Sequence, residues 1–227
     1  MNLIEQLKGK LIVSCQALED EPLHGSKYMA KMALAAKVGG AAGIRANGVS
    51  DVREIKQMTG LPVIGIIKKV YQDSEVYITP TLSEVKDLLE TKAEIIALDA
   101  TLRKRPNGEK LAALISYIKQ NSQAYVMGDI STFEEGLEAI NLGVDLLSTT
   151  LSGYTQMTRH IHGPNFSLLE SLVKLNKVPV IAEGQISTPS QAVEALQRGA
   201  QAVVVGTAIT RPQVITEQFV NAIKALT

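Results

Sequence analysis

The chain has 227 residues, with 23 Lys and Arg against 23 Asp and Glu, so its formal net charge is zero and its pI lies near 6.8. That balance excludes a general attraction to nucleic acid or to an anionic membrane surface, so any anion has to be held by local groups. The length fits one domain over residues 1–227, the lone Cys15 has no internal disulfide partner, and no leader-like or eighteen-residue apolar stretch is present, which gives a reducing cytoplasm as the expected location.

Residues 2–8 place Leu3, Ile4 and Leu7 at amphipathic-helix spacing, and this short N-terminal helix is expected to close the bottom of the fold. Eight apolar runs follow, each ending in a polar residue or glycine. They are LIVSCQA with Gln16, AAGIRAN with Arg45, PVIGIIK with Lys68, EIIALDAT with Asp99, YVMGDIS with Asp129, LLSTTL with Thr150, PVIAEGQI with Glu183 and AVVVGTAI with Thr207. Consecutive ends lie 21 to 33 residues apart, room for one helix and one strand in each interval. Runs this apolar read as strands buried on both faces, and the stretches between them carry helical periodicity.

Helix ends are also marked: Ser187, Thr188 and Pro189 resemble an N-cap followed by a first-turn proline, and Gly39, Gly60, Gly143 and Gly199 suit C-terminal positions. Eight strand–helix units in succession predict an α/β fold, a (β/α)₈ TIM barrel. The stretch from Leu151 to Asn165 reads as the longest loop and as a candidate lid. The last helix, Arg211 to Thr227, has an apolar stripe that a homodimer would cover.

Polar residues at the ends of barrel strands point to chemistry on the C-terminal rim. Period-two alternation puts Ile64, Ile66 and Lys68 on one strand face, where a lysine among apolar neighbours loses basicity and becomes a usable base. Asp129 and Glu183 each follow apolar residues and need buried partners, which Arg45 and Lys68 can supply. A purely structural ion-pair cluster therefore competes with a catalytic reading.

Gly184 after the seventh run, and Gly206 and Thr207 closing the eighth with Arg211 nearby, fit a phosphate site of the kind barrels build there. His24, His160 and His162 lack metal-ligand spacing to acidic partners, and Cys15 reads as a core thiol.

Taken in order, CQALEDEPLHGSKYMAKMALAAKVGGAAGIRANG, PVIGIIKK, YITPT, ALDAT, RKRP, GDIST, STTLSGYT, IAEGQISTP and VVVGTAITRP resemble the N-acylglucosamine-6-phosphate 2-epimerase family, also called N-acetylmannosamine-6-phosphate epimerases. The similarity runs from Cys15 to Pro212. It implies interconversion of N-acetylmannosamine 6-phosphate and N-acetylglucosamine 6-phosphate at C2, in bacterial sialic acid catabolism, with a sugar phosphate as the binding partner and no metal or organic cofactor.

Motif by motif, the resemblance assigns the catalytic base to Lys68 and its partner carboxylate to Glu183. It assigns substrate contacts to Gln16, Arg45 and Asp129, and phosphate binding to Gly184, Gly206, Thr207 and Arg211. The chain departs from the family pattern at Val70, often acidic there, and at Gly128, often alanine. Two rivals stay open: another sugar-phosphate reaction on the same layout, and a silent sensor in which Lys68 and Glu183 only form an ion pair.

Overall fold

The computed structural model describes residues 2–226. Its strands are β1 (Lys10–Cys15), β2 (Gly43–Asn47), β3 (Val63–Ile66), β4 (Ile95–Asp99), β5 (Tyr125–Asp129), β6 (Leu146–Ser148), β7 (Val180–Ala182) and β8 (Ala202–Val205). Each pairs in parallel with the next, and β8 pairs with β1, which closes the barrel.

The helices are α1 (Leu3–Leu7), α2 (Ser26–Val38), α3 (Val49–Thr59), α4 (Leu82–Leu89), α5 (Leu111–Asn121), α6 (Phe133–Asn141), α7 (Phe166–Leu175), α8 (Pro189–Gln197), α9 (Thr207–Thr210) and α10 (Pro212–Lys224). Among the described residues no helix is long and apolar enough to cross a membrane.

Strand alternation divides the apolar residues into two layers. Ile12, Ile64, Ile66, Ile95, Met127, Leu146, Ile181 and Val204 fill the barrel. Val63, Ile96, Val126, Leu147 and Val203 face the other way, among the helices. Gly65 on that outer face has no room for a side chain, because a Cβ would lie 3.1 Å from Leu88 Cδ2 on α4.

Helix α1 does close the lower mouth: Ile4 and Leu7 join the interior layer, and Leu7 reaches the first residue of β2, Gly43. Gln201 Nε2 donates to Ile4 O at 2.7 Å and fastens α1 beside β8.

The helix starts are chemically explicit. Capping boxes open α4 (Thr81 with Glu84), α6 (Thr132 with Glu135) and α8 (Thr188 with Gln191, followed by Pro189).

Three features differ from the sequence reading. Thr207 does not end a strand but begins the one-turn α9, with Gly206 as its N-cap. The last helix spans Pro212–Lys224, and Thr227 lies outside the described residues. Between β3 and α4 the chain forms an antiparallel hairpin, with bridges Lys68 to Ile78 and Tyr71 to Ser74. Buried Glu84 ties the hairpin to α4, accepting from Lys69 Nζ at 3.1 Å and Tyr71 OH at 2.9 Å. Ile78, on its second arm, tops the interior layer.

Candidate active site

At the C-terminal ends of the strands lies a cavity of about 380 Å³ lined by Gln16, Arg45, Lys68, Glu183, Gly184, Gly206, Thr207 and Arg211, together with Tyr77, Thr150 and Tyr154. Of the site residues expected from sequence, only Asp129 does not line it. Asp129 sits behind Arg45, wholly buried.

Arg45, inside β2, is itself only 1% exposed. Its Nη1 donates to Asp129 Oδ1 at 3.0 Å and to Glu183 Oε2 at 2.9 Å, and its Nη2 lies 2.5 Å from Asp129 Oδ2. Burial alone would weaken its hold on a proton. Asp129, then Glu183, more than offset this and raise its pKa above the ordinary arginine value.

Glu183 stands one residue past β7, its backbone held in both directions by Thr149. The Glu183 N–H donates to Thr149 Oγ1 at 3.1 Å, and Thr149 Oγ1 donates to Glu183 O at 2.8 Å. Its Oε2 accepts from Arg45, from Thr150 Oγ1 at 3.0 Å and from Ser148 Oγ at 3.4 Å, leaving Oε1 without a donor among the described residues. Burial raises the Glu183 pKa, Arg45 opposes the rise, and Asp129 adds to it.

Lys68 is placed by its own backbone, whose N–H donates to Asn47 Oδ1 at 2.7 Å at the end of β2. No ion pair holds its ammonium among the described residues, because Arg45 has taken both carboxylates. Burial, followed by repulsion from Arg45 and Arg211, lowers its pKa from 10.5 to about 8, against an opposing pull from Glu183 and Asp129. Lys69, one residue on, instead faces out to Glu84 and the Tyr71 ring.

Gln16 follows β1 and donates from Nε2 to Ser14 Oγ at 2.8 Å. Its Oε1 is the one buried side-chain polar atom among the described residues without a partner. Such an atom at a cavity wall suits a polar ligand. Across the cavity, Gly206 packs against Ser14, whose Cβ would lie 3.3 Å from an added methyl group. Arg211 pairs with Glu21 at 3.2 Å, and Glu21 also accepts from the Leu18 N–H at 2.7 Å and from Gln213 Nε2 at 3.0 Å.

Gly184 needs to be glycine for a reason other than anion access. Its φ is +102°, and a Cβ would approach Thr149 O at 3.2 Å and Thr150 O at 3.3 Å.

The sequence reading missed Tyr77, Tyr154 and Glu21. Tyr77 stands on the hairpin, and burial, then Asp99 and Asp129, push its hydroxyl up to about 12. Asp99 ends β4 as expected but turns to Arg103 at 2.7 Å and Thr101 at 2.6 Å, away from the cavity. Burial pushes the Cys15 thiol up to about 12, consistent with an inert core residue.

The segment from Leu151 to Asn165 is cross-linked rather than loose. Gly163 N–H donates to Gln185 Oε1 at 2.9 Å, Asn165 Nδ2 to Ser152 Oγ at 2.9 Å, and Thr155 Oγ1 to Ser131 Oγ at 3.1 Å.

Comparison with known proteins gives this geometry a context. The NanE family model, described as "Putative N-acetylmannosamine-6-phosphate epimerase", matches residues 29–225. The chain belongs to the NanE family. A relative from Clostridioides difficile strain 630, described as "Putative N-acetylmannosamine-6-phosphate 2-epimerase", is 57% identical over 222 residues, covering 98% of this chain and 99% of the relative. One from Caldanaerobacter subterraneus is 53% identical over 225 residues, covering 99% and 95%.

Among solved NanE structures, the N-acetylmannosamine-6-phosphate 2-epimerase from Clostridium perfringens superposes with a TM-score of 0.95 at 56% identity, over 98% of this chain and 96% of that one. The thiamine phosphate pyrophosphorylase of Pyrococcus furiosus, at 20% identity and a TM-score of 0.61 over 91% and 89%, shares the barrel alone.

The lowered pKa of Lys68 has a consequence for stability. The folded chain releases this proton near pH 8, whereas the unfolded chain keeps it until about 10.5. Between those values the unfolded state binds more protons, so stability rises with pH; below them the buried ammonium destabilises in full. Lys68→Met is therefore expected to stabilise the protein by about 1–3 kcal/mol at pH 7, with the advantage shrinking as pH rises from 8 to 10.5. Denaturant unfolding at pH 7 and pH 10 measures this; an advantage equal at both would contradict it.

Proposed function

We propose that the chain interconverts N-acetylmannosamine 6-phosphate and N-acetylglucosamine 6-phosphate by moving the proton at C2, with Lys68 as the base. The observation that carries this reading is that Lys68 faces the cavity unpaired and with lowered basicity while Arg45 neutralises Asp129 and Glu183. An ion-paired Lys68 would have favoured the structural cluster or the silent sensor instead. Membership of the NanE family supplies the substrate class.

The C2–H bond is acidic only when C1 is a carbonyl, so the open-chain aldehyde is the reacting form. Neutral Lys68 takes the C2 proton, the bond's electrons move toward C1, and charge grows on O1. Protonated Glu183 supplies a donor there, and preorganised donors at developing charge contribute heavily to lowering such barriers. Return of a proton to the opposite face of C2 gives the epimer.

Burial and Arg45 bring the Lys68 pKa down to about 8, within reach of its neutral form, and Arg45 orients Glu183, with Asp129 acting through Arg45. Gln16 offers its free Oε1 to the substrate. Gly184, Gly206, Thr207 and Arg211 form the phosphate corner, in which Glu21 holds the Arg211 guanidinium. No step calls for a metal or an organic cofactor.

This chemistry suits a cytoplasmic enzyme of bacterial sialic acid catabolism. A homodimer is part of the same proposal, because α10 buries none of its residues and leaves Phe219 68% and Ile223 64% exposed.

Lys68→Ala is expected to keep the fold and sugar-phosphate binding while losing roughly 10² to 10⁴ in turnover; near-normal kcat would remove Lys68 from the role. Arg211→Ala is expected to raise KM by about tenfold or more with a smaller change in kcat, as for a group that grips phosphate without entering the proton transfer. An unchanged KM would place the phosphate elsewhere.

A further inference from the structure

We propose that Lys68 and Glu183 first open the sugar ring, so that the chain has a second activity, interconversion of the α and β anomers of its sugar phosphates. Lys68 gives a proton to the ring oxygen O5, and Glu183 takes one from the anomeric hydroxyl, O1–H. This rests on the reading above, whose reacting form is the open-chain aldehyde. Aldohexose phosphates in water are almost wholly rings, so a site that took only the aldehyde would meet very little substrate.

Opening a pyranose needs an acid at O5 and a base at O1–H, both oxygens being bonded to C1, and the barrel supplies the two groups from opposite sides. In the closed order β1 to β8, strands β3 and β7 stand four apart in either direction. Lys68 lies two residues past β3 and Glu183 one residue past β7, and both line the cavity. They are close enough to feel each other's charge, yet among the described residues no ion pair joins them. A C1 atom held between them meets an acid on one side and a base on the other.

Each group has an atom free for the task. Arg45, Thr150 and Ser148 all donate to Glu183 Oε2, which leaves Oε1 to accept the O1 proton. The Lys68 backbone is pinned by Asn47, whereas its ammonium has no carboxylate partner among the described residues. The other titratable groups lining the cavity hold their protons near neutral pH: Arg45 and Arg211 are guanidiniums, the Tyr77 hydroxyl is pushed up to about 12, and burial raises that of Tyr154. With a pKa of about 8, Lys68 is mostly ammonium at pH 7 and so carries the proton that O5 needs. Arg45 and the Thr150 hydroxyl favour the carboxylate of Glu183, against the effect of burial.

The step balances. An N–H bond of Lys68 breaks as an O5–H bond forms, and the C1–O5 bond breaks with its electron pair going to O5. The O1–H pair becomes the second C1–O1 bond as that proton passes to Glu183 Oε1. What remains is neutral Lys68 and protonated Glu183, the base and the donor that the C2 step uses. Because O5 and C2 are both bonded to C1, the amine that released its proton at O5 is already beside the C2–H bond. Rotation about C1–C2 before the reverse step presents the other face of C1 and gives the other anomer.

Saturation-transfer ¹H NMR between the α and β anomeric signals of N-acetylglucosamine 6-phosphate, with the full chain present, tests this, since the hydrogen on C1 stays there throughout. Wild-type protein should exchange the anomers faster than buffer alone and at least as fast as it exchanges the C2 proton. Deuterium at C2 should slow epimerisation and leave anomer exchange unchanged. Glu183→Gln and Lys68→Met should each lower the catalysed anomer exchange by roughly 10² to 10⁴, the scale of one positioned acid or base. Lys68→Met, expected above to be stabilising, carries the test if circular dichroism shows Glu183→Gln unfolded.

Anomer exchange at the buffer rate alongside C2 exchange would overturn the ring-opening step and leave the epimerase reading standing. Wild-type anomer exchange in either folded variant would overturn it too. Catalysed anomer exchange that both variants lose, from a wild type that never exchanges the C2 proton, would support ring opening and overturn the epimerase reading.

Discussion

The site depends on one buried guanidinium. Arg45 has almost no contact with solvent, yet it stays charged because Asp129 and Glu183 lie on it at hydrogen-bond distance. Removing either partner would leave uncompensated charge in a low-dielectric interior, which commonly costs about 3–5 kcal/mol. The cluster carries two acids and one permanent cation, with Lys68 beside it as a base of lowered pKa. Burial pushes the Lys68 pKa down and the Glu183 pKa up, weakening the charged form of each.

The barrel makes this arrangement possible by register. Ser14, Arg45 and Ile64 stand side by side on β1, β2 and β3, and Asp99, Asp129 and Ser148 on β4, β5 and β6. Parallel strands of matched tilt therefore bring Arg45 and Asp129, 84 residues apart in sequence, into bidentate contact. The hairpin after β3 extends the wall upward and carries Lys68 at its base, with Asn47, Glu84 and Tyr71 holding it in place.

Much of this was legible in the chain itself. Continuous apolar runs ending in single charged residues give the strands, and the period-two face of β3 separates Lys68 from Lys69. The hairpin was not legible, because KKVYQDSEVYI mixes charges with β-branched residues at a length common to loops. Its pairing is decided by the barrel top that Ile78 fills. The preference of Lys68 for the cavity over an ion pair was also hidden. It depends on Arg45 reaching both carboxylates first, a matter of distances. Gly184 was recognised for its place, but the cause lies in the carbonyls of Thr149 and Thr150, contributed from another strand end.

The central claim is that a proton leaves C2 and another returns. Incubation of the protein with N-acetylmannosamine 6-phosphate in D₂O, followed by ¹H NMR at C2, tests it most directly. The account predicts loss of the C2 proton signal together with C2-deuterated N-acetylglucosamine 6-phosphate. Product that retains the original hydrogen at C2, or neither exchange nor product from folded protein, would contradict it.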